Sequence, residues 1–373
     1  MKPKDKRPIA VILGTRPEII KLSPVIRLLQ KKKRPFVLIH TGQHYSYSMD
    51  EQFFKELTLG APDHRFERPS SIGPNMHEQL VDWMTESVRR VLDSNRPSAV
   101  LVQGDTDTVL AGARAASTLG DTTICHVEAG LRSYDNAMPE ERNRVEADKL
   151  SHILFAPTET ARQNLIKEKL VGKRIEVTGN TIVDALFENL EIAKTKAAGG
   201  LVQKGYALVT LHRPESVDNR ERFLGIVNAL QVLSEKKSLR MVVPLHPRTE
   251  KRLNEYGLTV DDLRKKGFVM PGPIGFLDFI WQEKNAELVL TDSGGVQEEA
   301  CILKVPCVTI RTTTERPETV AVGANVVAGY ESDEIVSNAL GMLEKPRNWP
   351  NPFGDGKASE RILEILEREE VHA

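Results

Sequence analysis

Short apolar runs rich in β-branched residues alternate with stretches of helical period along almost the whole chain. In the first half the runs fall near residues 9–13, 36–40, 99–102, 123–127 and 152–156, with helical stretches over 17–30, 76–94, 107–119 and 139–150. In the second half they fall near 206–211, 240–244, 267–269, 287–290, 306–309 and 324–327, again with helices between. Runs such as Ala99-Val100-Leu101-Val102 are apolar at every position rather than at alternate ones. That pattern suits strands covered on both faces. Strand–helix alternation calls for parallel sheets flanked by helices on both sides. The eleven runs overfill one comfortable sheet. The pattern therefore predicts an α/β chain of two doubly wound, Rossmann-like domains.

The charged stretch Lys167-Glu168-Lys169, followed by Gly172 and Gly179, places the boundary between them within 167–180. The expected division is 1–171 for the first domain and 172–356 for the second. Lys194 to Gly200 reads as a surface loop of the second. The stretch Arg347 to Gly356, rich in Pro, Asn and Gly, cannot continue a helix. A last helix over about 358–370 belongs to the remaining segment, 357–373.

Composition narrows the function classes. The 373 residues carry 51 Lys+Arg against 52 Asp+Glu, a net charge of -1, so the basic excess of a general nucleic-acid binder is missing. An apolar content of 40% is enough to build a core and argues against extended disorder. No apolar run approaches the ~18–20 residues of a membrane span. The basic N-terminus, with Lys2 and Lys4, leads into Ile9 to Leu13, a run too short for a signal peptide. Cys125, Cys301 and Cys307 form neither a CxxC pair nor a disulfide framework. These features predict a reduced, cytoplasmic compartment. His40 and His44 have i, i+4 spacing, but Thr41-Gly42-Gln43 between them reads as a strand end and loop, so no metal is expected.

In open parallel sheets ligands bind beyond the carboxyl ends of strands, and several polar groups stand at such ends. The first strand runs into Gly14-Thr15-Arg16-Pro17-Glu18, where Thr15 and Glu18 have capping-box spacing and Pro17 suits the first helical turn. The motif has a plain reading as a helix cap; Arg16 beside that start tilts it toward an anion site, to which Lys21 can add charge. Neither GxGxxG nor a Walker A motif is present. The run Leu288 to Leu290 leads to Thr291-Asp292-Ser293-Gly294-Gly295 and then a helix. Its two glycines permit close approach of a phosphate to the backbone, and Glu299 inside the helix could accept bonds from a ribose diol. Asp105 follows one strand, Glu128 the next, and Glu140 and Glu141 open a helix after Pro139. Each has a plain reading as a cap or a dipole partner. Acids gathered on one sheet edge also suit acid–base work. His212-Arg213-Pro214-Glu215 and His246-Pro247-Arg248 end two further strands, and Glu315-Arg316-Pro317-Glu318 supplies another cation near a helix start.

Gly14 to Glu18, Gly104-Asp105-Thr106, His126 to Arg132, Pro139-Glu140-Glu141, Thr178 to Thr181, Thr291 to Glu299 and Thr314 to Glu318 together resemble the non-hydrolysing UDP-N-acetylglucosamine 2-epimerases. The motifs stand in that family's order from about residue 14 to 320. The resemblance implies a glycosyltransferase-B architecture, two domains with a nucleotide-sugar cleft between them and a last helix returning to the first domain. It implies reversible interconversion of UDP-N-acetylglucosamine and UDP-N-acetylmannosamine, feeding surface polysaccharides, with no NAD or metal. Homodimers are common in the family. The related UDP-2,3-diacetamido sugar acid 2-epimerases, a glycosyltransferase on the same architecture and a non-catalytic UDP-sugar sensor are the competing readings. The intact acid set argues against a sensor.

Carried over residue by residue, the resemblance implies Asp105, Glu128 and Glu140 as catalytic acids and His212 as the group assisting UDP departure. It implies Arg16, Ser293, Gly294, Gly295 and Arg316 at the phosphates, Glu299 at the ribose and Phe279 beside the uracil. Lys21 and Arg144 match retained polar positions near the active site. Gln43, Arg213 and His246 match a regulatory site at which some bacterial members bind a second UDP-N-acetylglucosamine. Ser46 stands where those members carry Gln, and Asn75 to Gln79 depart from their pattern. The resemblance therefore does not imply the same dependence on an activator.

Overall fold

The computed structural model describes residues 7–43, 47–73, 76–135, 138–170, 172–196 and 204–372. Lys2, Lys4, His44, Ser46 and Asn75 lie outside them. The first sheet holds β1 (Ile9–Leu13), β2 (Phe36–His40), β3 (His64–Arg65), β4 (Ala99–Gln103), β5 (Thr123–Val127), β6 (Ile153–Ala156) and β7 (Arg174–Val177). Their order is β3-β2-β1-β4-β5-β6-β7. The second sheet holds β8 (Tyr206–Thr210), β9 (Arg240–Val242), β10 (Phe268–Val269), β11 (Leu288–Thr291), β12 (Cys307–Thr309) and β13 (Asn325–Val327), in the order β10-β9-β8-β11-β12-β13. Every strand pair is parallel. The two doubly wound α/β sheets read from the hydrophobic pattern are both present.

The central strands are buried from end to end. All of β1 is at most 1% exposed, with Ile9 opposite Phe36 on one side and Ala99 on the other. Helices cover both faces, so each position of such a strand meets apolar side chains. In the second sheet Ala207, Val209, Leu288, Leu290 and Val308 join Phe223, Ile226 and Leu230 of the helix Arg220–Lys237 in one core.

The chain divides into two compact units, Met1–Glu188 with Phe353–Ala373, and Asn189–Pro352. This corrects the division expected between 171 and 172. Gly172 is a left-handed turn (φ +86°), and the chain after it pairs with β6, Arg174 opposite Ile153. β3 and β7 were both missing from the expected strands. They are short edge strands with half-exposed positions, so no unbroken apolar run betrays them. Lys194 to Lys196 close the helix Thr181–Lys196 rather than opening a loop; residues 197–200 lie outside the described ones.

The last segment is tied to the first unit at several points. Asn180 N donates to Phe353 O at 2.8 Å. Gly179 is left-handed (φ +85°), and a Cβ there would meet Phe353 O at 3.1 Å. Asp184 accepts the backbone N–H groups of Ala358 (3.2 Å) and Ser359 (2.8 Å) at the start of the helix Ala358–His372. That helix packs on the helix Arg16–Lys31 and buries Ile362, Leu363 and Leu366. Among the described residues no helix is long and apolar enough to cross a membrane.

The leading N–H groups of a helix have no partner within it. Asp184→Ala is therefore expected to destabilise the fold by about 1–3 kcal/mol. Asp184→Asn keeps an acceptor and is expected to lose less, as measured by urea unfolding of both variants.

Candidate functional site

Strand order reverses between β1 and β4 in the first sheet and between β8 and β11 in the second. Crevices for ligands open beyond the carboxyl ends at such switch points. Those ends carry Gly14-Thr15-Arg16 and Gly104-Asp105 in the first unit, and His212-Arg213 and Asp292-Ser293 in the second.

In the first unit Glu128 follows β5 and is 6% exposed. Its backbone is left-handed (φ +71°), a conformation that a residue with a Cβ seldom adopts and that clusters at functional positions. Lys21 Nζ lies 2.6 Å from Oε1, Asn180 Nδ2 donates to the same oxygen at 3.3 Å, and Gln103 Nε2 donates to Oε2. Asp105 is half-buried beyond β4 and accepts Arg144 Nη2 through Oδ2. Arg144 also donates to Glu141, which accepts Ser133 N (3.0 Å), Ser133 Oγ (2.9 Å) and Tyr134 N (3.2 Å). Glu140 lies half-buried in the first turn of the helix Pro139–Leu150. Lys21 and Arg144, expected near the active site, are thus engaged with the acids.

His126 was not among the expected site residues. Its Nε2–H donates to Gly104 O at 2.8 Å, and Nδ1 lies 2.7 Å from Asp148 Oδ1. Arg132 Nη2 donates to Asp148 Oδ2 at 2.6 Å. Burial resists ionisation of Asp148, but His126 and Arg132 outweigh it and hold this carboxyl below its ordinary range. The array fixes the turn that presents Asp105. Its signal in the sequence was faint, a histidine on a strand otherwise read as core.

At the first helix Glu18 Oε2 accepts Gly14 N (2.6 Å) and Thr15 N (2.9 Å), and Thr106 Oγ1 donates to Oε1. The Glu18 half of the capping box is formed. These two N–H groups serve the protein's own carboxylate, which leaves the Arg16 guanidinium, half-buried and 5.6 Å from the Phe53 ring centre, as the feature suited to an anion. Gln43 Oε1 accepts Thr108 N (2.9 Å) and Thr108 Oγ1 (2.7 Å).

In the second unit Asp292 is fully buried, and its Oδ2 accepts His212 N (2.9 Å) and Arg213 N (2.8 Å). His212 Nδ1 stands 3.1 Å from Oδ1, with the ring partly exposed. Burial raises this carboxyl's pKa, but His212 and the two N–H groups outweigh it, so Asp292 lies below its ordinary range. The His246 ring is 5.5 Å from that of His212, and its Nδ1 accepts Arg248 N at 3.2 Å, capping a helix. Phe279 is half-buried on the helix Phe276–Asn285.

Ser293 stands at the N-cap position of the helix Gly294–Leu303 without a side-chain capping bond, and the helix start differs from expectation. A Cβ on Gly294 would fall 2.1 Å from Glu315 Oε1, whereas one on Gly295 meets nothing closer than 4.0 Å. Gly294 therefore makes room for a side chain of the protein, and Gly295 faces open space. Glu315 is buried and accepts Arg311 Nη1 at 2.8 Å. Burial raises its pKa, but Arg316, Arg311 and Arg213 outweigh it and hold the carboxyl down at about 2. Arg316 is itself 5% exposed, with Nε 2.7 Å from Glu298 Oε1. Glu299 is 9% exposed in the same helix. Among the described residues no group of His, Cys, Asp and Glu side chains is placed to hold a metal ion.

A family described as UDP-N-acetylglucosamine 2-epimerase matches residues 27–367. The chain belongs to that family. A UDP-N-acetylglucosamine 2-epimerase of Methanocaldococcus jannaschii is 49% identical over 96% of this chain and 98% of that protein. A UDP-2,3-diacetamido-2,3-dideoxy-D-glucuronate 2-epimerase of Pseudomonas aeruginosa is 39% identical over 96% and 99%. The crystal structure of the M. jannaschii UDP-GlcNAc 2-epimerase in complex with UDP-GlcNAc and UDP superimposes with a TM-score of 0.89 at 50% identity, covering 96% of this chain and 99% of that one. The two-sheet α/β organisation is the glycosyltransferase-B class of these 2-epimerases.

Two outcomes are expected from this geometry. Gly294→Ala forces a buried carboxylate aside and is expected to cost about 1–3 kcal/mol, whereas Gly295→Ala stays within about 0.5 kcal/mol of wild type; thermal unfolding distinguishes them. Glu18 is raised from the ordinary 4.5 to about 7, because burial outweighs the bonds from Thr106, Gly14 and Thr15. Its folded form holds a proton that the unfolded chain has lost, so its contribution is complete below pH 4.5 and is lost as pH rises through about 7. Relative to Glu18→Gln, the wild type is expected to lose ~3 kcal/mol across that window, read from urea unfolding at each pH.

Proposed function

We infer that the chain is a UDP-N-acetylglucosamine 2-epimerase, interconverting UDP-N-acetylglucosamine and UDP-N-acetylmannosamine. Identity of 49% over almost the whole of both chains carries the reading. The relative that acts on the diacetamido sugar acid shares 39%, which favours the N-acetylglucosamine substrate. The reading extends to a cytoplasmic, cofactor-free homodimer on the family resemblance alone.

The C2–H of an amino sugar is too weakly acidic for direct removal by a carboxylate. On this reading UDP departs before or with proton loss, leaving an oxocarbenium-like centre at C1. That charge acidifies C2–H, and proton loss gives 2-acetamidoglucal. Protonation of the other face of C2 and return of UDP complete the inversion. Asp105, Glu128 and Glu140 are the proposed acids. Support for Glu128 comes from Lys21, Gln103 and Asn180, whose bonds fix both of its oxygens. Asp105 is tied through one oxygen to Arg144, so the other has bonds to offer. Lys21 and Arg144 then act as positioning residues.

His212 is proposed to protonate or hydrogen-bond the departing diphosphate. Asp292 beside Nδ1 orients the ring. Arg16, Ser293, Gly294, Gly295 and Arg316 are proposed at the phosphates, where negative charge grows as the bond breaks. Glu299 is assigned to the ribose and Phe279 to the uracil. Gln43, Arg213 and His246 remain a proposed regulatory set; Gln43 and His246 already bond within their own units.

Incubation with UDP-N-acetylglucosamine in deuterated water, without cofactor, is expected to place deuterium at C2 and to yield part of the sugar as the manno epimer. Unlabelled sugar transferred to an acceptor would instead establish a glycosyltransferase. Asp105→Asn, Glu128→Gln and Glu140→Gln are each expected to slow turnover by about 10²–10⁴-fold with nucleotide affinity kept. Near-normal turnover in all three contradicts the assigned roles.

A further inference from the structure

One buried acid has no part in the chemistry assigned above. Glu283 lies on the helix Phe276–Asn285, whose buried positions also include Phe276, Leu277 and Ile280. Its side chain is fully buried, and among the described residues neither carboxyl oxygen receives a conventional donor. What faces it is Glu299, on the helix Gly294–Leu303 packed alongside. The Cys307 thiol of β12 is its other titratable neighbour, with Cys301 beyond, and burial pushes both thiols up so that they stay neutral. The nearby cation Lys284 donates to Leu303 O at 3.0 Å.

A carboxyl group without a donor, set against a second carboxyl group in an apolar interior, does not remain ionised. Two acids in that relation hold one proton between them. Burial, reinforced by the charge of Glu299, keeps the Glu283 carboxyl well above its ordinary range. The proton thus belongs on the deeper group, and the charge on Glu299, nearer the surface.

We propose that Glu283 is a protonated positioning residue whose O–H donates to Glu299 and holds that carboxylate ionised and oriented for a ribose diol. The proposal rests on the assignment of Glu299 to the ribose. A neutral donor suits this task better than a lysine or arginine would. It fixes one carboxylate oxygen through a charge-assisted bond and leaves the full negative charge for the hydroxyls. Ribose recognition should then weaken at alkaline pH, as the shared proton is lost and the two acids repel.

The test compares UDP with 2′,3′-dideoxy-UDP by calorimetry. Glu283→Met is expected to weaken UDP binding about tenfold, the loss of one bond to a charged group, with the dideoxy ligand unaffected. Glu283→Gln, whose Nε2–H can donate to Glu299, is expected to restore UDP binding and to abolish the alkaline weakening seen in wild type. Wild-type affinity for UDP in Glu283→Met overturns the proposal, as does an equal loss for both ligands, which marks a structural role. Failure of Glu283→Gln to rescue also overturns it. Glu299→Ala separates the underlying assignment. If it fails to discriminate UDP from the dideoxy ligand, the ribose reading itself falls; if it discriminates while Glu283→Met does not, only the role of Glu283 falls.

Discussion

Lys21 and Glu128 meet at 2.6 Å, both deeply buried, and the polar groups at the strand ends of the first unit are arranged about that pair. An ion pair at such depth contributes little net stability, because both charges have left water. Its value lies in position. Removing one partner would strand the other charge, so the pair locks the first helix against the end of β5. Gln103 from β4 and Asn180 from beyond β7 complete the shell. Segments far apart in the chain reach one carboxylate because every strand of a parallel sheet ends on the same edge.

The second unit solves a related problem with the opposite sign. Arg213, Arg311 and Arg316 gather near the start of the helix Gly294–Leu303, a place already favourable to anions. Glu315 tempers that excess and occupies the space left by Gly294. Asp292 does the same for His212 while anchoring two backbone N–H groups. A net charge of -1 therefore conceals concentrated fields that the protein partly neutralises itself.

The central strands and the polar residues at their ends were legible because burial on both faces leaves unbroken apolar runs and because ligand positions follow the strand ends. The edge strands were not. Arg174–Val177 is half-exposed and polar, and the turn at Gly172 has the same composition as a linker, so the boundary was read too early. Partnerships were also hidden. Lys21 and Glu128 are 107 residues apart, and nothing local marks either as the other's counter-ion. Ser293-Gly294-Gly295 reads the same whether a glycine admits a ligand or a side chain; only the place of Glu315 tells them apart. Glu283, in Trp281-Gln282-Glu283-Lys284-Asn285, looks like part of a solvated helix end but is fully buried.

The return of Phe353–Ala373 to the first unit sets an order of assembly. Domains fold as units during synthesis, usually from the N-terminus onward. Here the second unit, one continuous segment, is translated before the closing piece of the first. Until then Asp184 has no helix start to hold, and the last helix has yet to reach the face of Arg16–Lys31 against which it packs. The unit translated first is finished last, so a nascent chain halted anywhere in the second unit carries a first unit that still lacks its seal.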